Sequence, residues 1–278
     1  MNQRCGEFVA KDPGIHSSCT MKAMILAAGL GTRLRPLTDS VPKALLEVYG
    51  RPLLAWVVDR LALNGFTDIV VNAHHHAEQI VAFAEWYPDH AGIEGLRMAV
   101  SLEEDLLGTG GGLKQAEWFF DDDQPFLLHN ADVITDVDLQ ALAHKHLESG
   151  ALATLAVKKR DTKRYLLFDE EDDLCGWQST EPAETREVRK PSGQTTPYPF
   201  LCVQILSPEV FNTMNSPSPY SLIDAYLAAV AGGHRVTSFL APDARWMDVG
   251  RPGHLEQVAG LFGDRYFEAL LARDRDSG

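Results

Sequence analysis

The stretch Ala23-Met-Ile-Leu-Ala-Ala-Gly-Leu-Gly-Thr-Arg-Leu-Arg-Pro36 decides the fold of the chain. Its first six residues are all apolar, and a short unbroken apolar run predicts a strand that is buried on both faces. Gly29 and Gly31 follow at once and predict a tight turn, because glycine adopts backbone conformations that other residues avoid. The stretch therefore predicts the first strand of a parallel sheet and the turn that leaves it.

Helices and strands alternate after this turn. Helical spacing that stops at Asn64-Gly65 predicts a helix over Pro52–Leu63. Further helices are expected over Ala77–Trp86, Leu113–Phe120 and Val137–Leu147, and further strands over Asp68–Asn72, Leu96–Leu102, Pro125–His129 and Ala151–Val157. This alternation predicts an α/β fold with a doubly wound, mainly parallel sheet. In such a sheet, ligands bind beyond the carboxyl ends of the strands.

The chain beyond residue 160 has a different pattern. Short strands are predicted over Tyr165–Phe168 and Phe200–Ile205, and they flank a polar stretch, Gln178–Pro199. We expect a smaller β-rich lobe here, with the polar stretch as a long loop and a candidate active-site lid. Two helices, near 253–260 and 263–272, are expected to pack on the outside of the fold.

The composition excludes several classes of protein. Of the 278 residues, 45% are apolar, which suffices for a core, and the formal net charge is −14. An acidic chain without runs of lysine or arginine is not expected to bind nucleic acid or membrane surfaces, and it has no run of about 18 apolar residues. The four cysteines lack paired spacing, which favours a reducing compartment. An anionic ligand would therefore need a local cationic pocket or a metal ion.

The glycine turn and two nearby cations suggest a phosphate site. Glycines let backbone N–H groups converge on a phosphate, while Arg33 and Lys43 supply a forked donor and a point charge. The turn is not a Walker A loop, and Leu34 stands where a dinucleotide fingerprint needs glycine or alanine. The alternative is a surface turn with ordinary charges.

Two aspartates at strand ends are candidate metal ligands. Asp132 ends the predicted strand segment that begins at Phe126, and Asp248 precedes a turn into a helix. Mg²⁺ takes one or two carboxylates together with phosphate oxygens and waters, so two such groups at one sheet edge would suit it. A lone aspartate is otherwise a helix cap or a turn former.

A second glycine cluster, Gly108-Thr-Gly-Gly-Gly112, joins a predicted strand to a helix. Four glycines in five positions are costly unless the backbone approaches something closely. A nucleobase lying on the peptide planes is one interpretation, and a flexible hinge is the other.

Two basic or metal-like clusters are given ordinary interpretations. Three consecutive histidines, His74–His76, point in different directions on an extended backbone, so they are not expected to bind one metal ion. The run Lys158–Arg160 is interpreted as a solvated strand end rather than as a sugar-phosphate site.

The pattern of the first glycine turn extends over about thirty residues. Leu26–Thr38, Pro42–Val48 and Arg51–Leu54 together closely resemble the N-terminal signature of the sugar nucleotidyltransferase family. The resemblance implies a Rossmann-like nucleotidyltransferase fold. The residues that it implies for the NTP phosphates are Ala28, Gly29, Gly31, Thr32 and Arg33, with Lys43 at the reacting phosphate.

Other segments extend the resemblance and also depart from it. Asn130-Ala131-Asp132-Val133 is similar to the family's N-G-D-V, with alanine for glycine, and Trp246–Pro252 matches W-x-D-V-G-R-P without departure. These segments imply Asp132 and Asp248 as Mg²⁺ ligands. Gly108 and Thr109 are implied as contacts to the base and sugar of the NTP.

Two further details concern the acceptor and the branch of the family. The triple glycine at 110–112 resembles the N-acetylmuramate-1-phosphate uridylyltransferase branch. Arg189 stands before Lys190-Pro191 where the family has glutamate in E-K-P, so the acceptor half is poorly matched.

From these observations we expect a cytoplasmic enzyme that joins NMP from an NTP to a sugar-1-phosphate and releases pyrophosphate. Such an enzyme can be a homo-oligomer. Residues 21–157 are expected to form the nucleotide-binding portion and residues 158–273 the sugar-phosphate portion. Residues 1–20 and 274–278 are expected to be disordered. The alternatives are a cytidylyltransferase for a small alcohol phosphate such as phosphocholine, with an aromatic cage, and a non-catalytic nucleotide-sugar-binding regulator.

Overall fold

A seven-stranded sheet lies at the centre of the computed structural model, which describes residues 21–215 and 218–272. The strands are β1 Ala23–Leu26, β2 Glu47–Val48, β3 Arg51–Pro52, β4 Asp68–Ala73, β5 Arg97–Leu102, β6 Phe126–Asn130, β7 Val133–Thr135, β8 Ala153–Val157, β9 Arg164–Phe168, β10 Leu174–Thr180, β11 Ala183–Glu187, β12 Thr196–Tyr198, β13 Phe200–Leu206, β14 Val236–Leu240 and β15 Trp246–Asp248. The helices are α1 Leu53–Leu63, α2 Ala77–His90, α3 Gly108–Gln115, α4 Leu139–Ser149, α5 Val210–Thr213, α6 Leu222–Ala231 and α7 His254–Leu271. The ends expected to be disordered, 1–20 and 274–278, lie outside the described residues.

The central sheet is mainly parallel and has the order β14-β8-β13-β6-β1-β4-β5. β1 pairs in parallel with β4 and β6, β4 with β5, and β14 with β8, while β13 runs antiparallel to both of its neighbours. The expected α/β class with a mainly parallel sheet is therefore confirmed.

Helices cover both faces of this sheet. Met24 and Ile25 are adjacent on β1, both fully buried, and they belong to different apolar clusters because successive strand residues point to opposite faces. The Ile25 face packs against α1, α2 and α4, and the Met24 face against α3 and α6. Burial on both faces explains why the strand is an unbroken apolar run.

The second half of the chain differs from its prediction in two places. The strand predicted over Phe200–Ile205 does not belong to the β-rich lobe: as β13 it lies in the central sheet between β6 and β8. The stretch Gln178–Pro199 is not one long loop, because β10, β11 and β12 belong with β9 to a four-stranded antiparallel sheet. β11 is an exposed edge strand, so its residues are polar and resemble a loop in the sequence.

Two other predictions concern helices. The helix predicted from Leu113 begins five residues earlier, at Gly108. The two helices predicted near 253–260 and 263–272 are present as the two parts of α7, which is broken between them at Gly263, where φ is 69° and ψ is 167°. Among the described helices, none is both long enough and apolar enough to cross a membrane.

A buried histidine joins α4 to the sheet. His146 is 2% exposed, and its two ring nitrogens lie 2.9 Å from Thr154 Oγ1 and 3.1 Å from Ser207 Oγ. Burial lowers the pKa of His146 to about 4, because the charged ring would lose its hydration. The native state therefore holds this ring neutral at a pH where an unfolded chain would protonate it.

Acidification is expected to destabilise the fold through His146. An unfolded histidine binds its proton near pH 6.5 and the native one only near pH 4, so the free energy of unfolding falls between these values by about 1 kcal/mol per pH unit. Urea unfolding of the wild type and of His146→Gln at pH 7.5, 6 and 5 tests this. The wild type should lose more stability than the variant, and equal losses would contradict the prediction.

Candidate active site

A short antiparallel pair brings the two predicted metal ligands together. β15 pairs with β7 so that Asp248 lies opposite Val133, and the Val249 N–H donates to the Asp132 carbonyl over 2.8 Å. Asp132 follows the central strand β6, and Asp248 ends β15. Residues separated by more than a hundred positions in the chain therefore place their carboxylates side by side.

An ion pair fixes the register of these two strands. The Arg245 N–H and Nε donate to the two carboxylate oxygens of Asp136 over 2.6 and 2.7 Å. The Thr135 hydroxyl donates to the Arg245 carbonyl over 2.8 Å. Since Arg245 and Asp136 lie just beyond the paired residues, these bonds prevent a slip that would turn Asp248 to the other face.

Lys43 lies between the two carboxylates. Its Nζ contacts Asp132 Oδ2 and lies 3.7 Å from Asp248 Oδ1. The side chain is buried, and it leaves a short turn, Lys43–Leu45, that follows Pro42. Placing one ammonium beside the two acidic groups offsets part of their mutual repulsion.

The charged side chains come closest together at Gly250, which belongs to the Trp246–Pro252 pattern but was given no role in the sequence analysis. A Cβ atom placed on Gly250 would lie 2.5 Å from Asp248 Oδ1, 2.7 Å from a terminal nitrogen of Arg33 and 3.1 Å from Lys43 Nζ. Arg33, Lys43 and Asp248 therefore converge on this backbone position. Only glycine leaves room for them, and its place two residues after Asp248 was the available signal.

The two glycines of the first turn have different physical roles. Gly31 has φ 62°, and a Cβ there would lie 2.8 Å from the Thr38 methyl group, so the fold itself requires glycine. A Cβ on Gly29 would meet none of the described residues within 4 Å, and its φ is not left-handed. The Gly29 backbone instead lines a cavity. Thr32 is exposed on the following turn.

This cavity has a volume of about 280 Å³ and runs from Lys43 toward the second glycine cluster. Of the residues predicted from the sequence, it is lined by Ala28, Gly29, Lys43, Gly108, Thr109 and Asp132. Within the described residues, the lining of this cavity does not include Gly31, Thr32, Arg33 or Asp248, although Arg33 and Asp248 meet Lys43 at its edge.

Two buried polar residues in the lining of the cavity were missed. Asn72 donates to Glu103 Oε1 over 2.6 Å and accepts from the Ala27 N–H over 2.7 Å. The other carboxylate oxygen of Glu103 accepts from the Leu107 N–H over 3.1 Å. Both side chains line the cavity at the carboxyl ends of β4 and β5, and polar residues in that position were the signal.

The second glycine cluster is part of a helix, which corrects its interpretation as a linking segment. Gly110 faces the ring of Tyr220, since a Cβ there would lie 2.4 Å from it, and Gly111 faces the Ser218 hydroxyl. The Gly110 N–H donates to the Tyr220 carbonyl over 3.0 Å. The flat group that the glycines approach therefore includes a tyrosine of the same chain.

Gly108 and Thr109 connect this helix to the next layer. Gly108 has φ 73°, and the Tyr220 carbonyl lies 2.5 Å from the position of its missing Cβ. The Thr109 hydroxyl accepts from the Leu222 N–H over 2.9 Å, at the start of α6. Both residues line the cavity, but each also has a clear structural role.

The pair Asp132 and Asp248 fits a hard divalent cation. Within the described residues, no group of three or more histidine, cysteine or acidic side chains could hold a metal ion. Two carboxylates nevertheless suit Mg²⁺, which keeps several waters and takes phosphate oxygens as further ligands. Asp248 Oδ1 is buried without a hydrogen-bond partner among the described residues, so it has a free acceptor site.

A cysteine lies next to this acidic pair. Cys202 sits at an irregularity of β13 with φ 58°, a left-handed conformation that is unfavourable for a residue with a Cβ. Burial, and then the charges of Asp132 and Asp248, raise the pKa of its thiol to about 12. The thiol is therefore uncharged at neutral pH and is a poor nucleophile.

In the segment that matches the family's acceptor half poorly, two arginines contact other side chains of this chain. Arg189, which replaces the expected glutamate, donates to the buried carboxylate of Asp169 over 2.7 Å. The guanidinium of Arg186 lies 4.5 Å from the centre of the Trp177 ring. A cation of the chain itself therefore already covers this aromatic face, which disfavours a choline cage there.

The fold and the convergence of charged groups agree with one family. The family model for nucleotidyl transferases matches residues 22–261, and the chain belongs to this family. It is 34% identical over 234 residues to the mannose-1-phosphate guanyltransferase of Candida albicans, covering 84% of this chain and 62% of that relative. The enzyme of the same name from Aspergillus fumigatus is also 34% identical, with 84% and 61% covered. The chain thus spans about three fifths of the length of these relatives.

Solved structures share the fold. The UDP-glucose pyrophosphorylase from Acinetobacter baumanii superposes with a TM-score of 0.70 at 18% identity, covering 92% of this chain and 99% of that one. The inositol-1-phosphate CTP transferase from T. maritima superposes with a TM-score of 0.67 at 19% identity, covering 92% and 98%.

Gly250→Ala is expected to weaken nucleoside triphosphate binding by about ten-fold or more. The added methyl group would displace Arg33, Lys43 or Asp248, and about 1.4 kcal/mol of lost interaction corresponds to that factor. Calorimetric titration measures the affinity. Gly260→Ala is the matched control, because a Cβ there meets no described residue within 4 Å. Equal affinities for the two variants would show that the convergence at Gly250 has no role in binding.

Proposed function

We propose that the chain is a sugar-1-phosphate nucleotidyltransferase, which transfers NMP from an NTP to a sugar-1-phosphate and releases pyrophosphate. The observation that carries the proposal is the convergence of Arg33 and Lys43 with Asp132 and Asp248 at the edge of the cavity. Two cations opposite two carboxylates can hold anionic reactants together with a metal ion. The names of the relatives support this activity and suggest NDP-sugar synthesis.

The chemistry requires alignment rather than a general base. The acceptor phosphate is a monoester with a second pKa of roughly 6, so it is already mostly dianionic at neutral pH. One of its oxygens attacks the α-phosphorus in line, a new P–O bond forms, and the bond to the pyrophosphate oxygen breaks. The barrier comes from repulsion between anions and from orientation.

The side chains at the site address these two requirements. We assign Lys43 to the charge that develops at the α-phosphoryl group and Arg33 to the departing pyrophosphate, which a forked guanidinium can bind by two oxygens. The open backbone of Gly29 positions the phosphate chain. Asp132 and Asp248 would hold Mg²⁺, which would supply positive charge to the bound phosphates.

Glu103 suggests the base of the donor. A carboxylate only accepts hydrogen bonds, and each oxygen of Glu103 already accepts one from the protein, which leaves one further acceptor position on each. Guanine presents two neighbouring N–H donors on its pairing edge, whereas uracil presents one. Adenine and cytosine would place a ring acceptor beside the carboxylate. We therefore propose GTP as the preferred donor, in agreement with the names of the relatives.

Other assignments remain part of the same proposal. Residues 21–157 supply the donor site, and residues 158–273 would supply the acceptor site. A cytidylyltransferase acting on phosphocholine is disfavoured by the arginine that covers Trp177.

The first experiment is a pyrophosphate-release screen of the common NTPs against a panel of sugar-1-phosphates with Mg²⁺. If no pair of NTP and sugar-1-phosphate yielded pyrophosphate, the proposed function would be refuted.

Lys43→Ala and Asp248→Asn are each expected to lower turnover by on the order of 10²-fold or more, because the first removes positive charge from the reacting phosphates and the second removes a proposed ligand of Mg²⁺. Pyrophosphate release by purified protein measures the effect, and thermal unfolding checks the fold. Lys145→Ala and Asp243→Asn are the controls, since both side chains lie away from the cavity. Near-normal turnover of both site variants would refute the two assignments.

Glu103→Gln is expected to reduce the preference for GTP over UTP by about ten-fold or more, since a charged acceptor of guanine N–H groups becomes a neutral amide. The values of kcat/KM for the two donors measure the preference. Glu104→Gln is the matched control, because Glu104 is the next residue in the chain and its side chain is exposed. An equal loss for both donors would mean that Glu103 only supports the start of α3.

A further inference from the structure

We propose that His74, His75 and His76 form a brace that holds two loops of the donor site at a fixed separation. The phosphate-side loop is residues 29–40, and the base-side loop is residues 103–109, which include the first two residues of α3. The inference rests on the proposed function for the ligand of these loops. The histidines follow β4 directly and lie between the two loops, and the proposed transfer of the nucleotidyl group does not use them.

One histidine binds the base-side loop. His74 Nδ1 lies 3.0 Å from the carbonyl oxygen of Glu103. A carbonyl oxygen only accepts, so Nδ1 carries the proton in this contact. The bond fixes the backbone of the residue whose side chain faces the base end of the cavity.

The other two histidines bind the phosphate-side loop. His75 Nε2 lies 3.3 Å from the Thr38 carbonyl, and His76 Nε2 lies 3.0 Å from the Asp39 carbonyl. Gln79, in the first turn of α2, donates to the next carbonyl, that of Ser40, over 2.8 Å. Three successive carbonyls of the loop are therefore each bound by a side chain from the same segment.

The effect of these bonds extends to the glycine turn. The Thr38 hydroxyl donates to the Gly31 carbonyl over 2.9 Å, and the Thr38 methyl group lies 2.8 Å from where a Cβ of Gly31 would be. The position of Thr38 therefore sets the position of the turn before Arg33. His75, by holding Thr38, acts on the phosphate site through one intermediate residue.

The backbone of the tripeptide explains how it reaches both loops. His76 has φ 52°, in the left-handed region, and it precedes the first residue of α2. The rings of His75 and His76 lie 4.0 Å apart, centre to centre, and face one loop. His74 extends toward the other loop.

The brace predicts a selective kinetic defect. In the proposed function an NTP would span both loops, whereas the acceptor is assigned to residues 158–273. His74→Ala and His75→Ala should each raise the KM for the NTP by about five- to ten-fold, the usual effect of one lost hydrogen bond. The KM for the sugar-1-phosphate and the midpoint of thermal unfolding should change little.

Conservative variants separate the hydrogen bond from packing. The side-chain amide nitrogen of asparagine can replace Nδ1 of histidine, and that of glutamine can replace Nε2. His74→Asn and His75→Gln should therefore restore most of the NTP affinity. His90→Ala is the matched control, since this exposed histidine binds the Trp86 carbonyl of its own helix through its ring nitrogen.

Hydrogen–deuterium exchange tests the brace without substrates. His75→Ala should increase exchange in residues 29–40, and His74→Ala should increase it in residues 103–109, relative to His90→Ala. Exchange like that of the control, together with unchanged NTP KM, would overturn the proposal. A fall in activity that follows only the folded fraction and that the amide variants do not rescue would also overturn it. If the wild type released pyrophosphate from no NTP, the proposed function would fail, while the exchange experiment would still decide on the brace.

Discussion

The site depends on the pairing of β7 with β15. One backbone hydrogen bond, from the Val249 N–H to the Asp132 carbonyl, joins two segments that lie more than a hundred residues apart in the sequence. It places two carboxylates side by side, which would be unfavourable without the ammonium of Lys43 between them. The ammonium of Lys43 therefore offsets part of the repulsion between the two carboxylates.

The glycines illustrate how differently the same residue type is used. Gly31 is required by its own backbone angle and by Thr38, and Gly110 by the ring of Tyr220. Gly250 leaves space for side chains of opposite charge, whereas a methyl group on Gly29 would touch none of the described residues. Of these four glycines, only Gly29 is required neither by its backbone angle nor by a contact with the described residues. Its open backbone is therefore the clearest sign of a ligand in this turn.

The sequence predicted those helices and strands whose own apolar pattern reflects how they are buried. β1 and α1 are buried on most sides, so their apolar patterns predicted them within a residue or two. Asp132, Asp248 and Lys43 were predicted from strand ends and from the family resemblance, and the structure brings them together. α6 was not predicted, although Ser221 followed by Asp224 is a capping signal, and the Ser221 hydroxyl does accept from the Asp224 N–H.

Other features were not predicted because their roles depend on partners far away in the chain. The edge strand β11 has exposed polar residues that carry no periodic apolar signal. Gly250 and Glu103 acquire their importance only when the segments around them meet. The three histidines after β4 are conspicuous in the sequence, but the sequence does not show what they bind, because their partners are backbone carbonyls, which every residue has.

The place of β13 has a consequence for how the chain is made. This strand lies between β6 and β8, so the first 157 residues alone would leave two strand edges in the middle of the sheet without a neighbour. During synthesis the ribosome must have released residue 206 before that gap can close. A truncation after residue 157 would therefore remove a strand from the middle of the central sheet rather than separate two independent sheets.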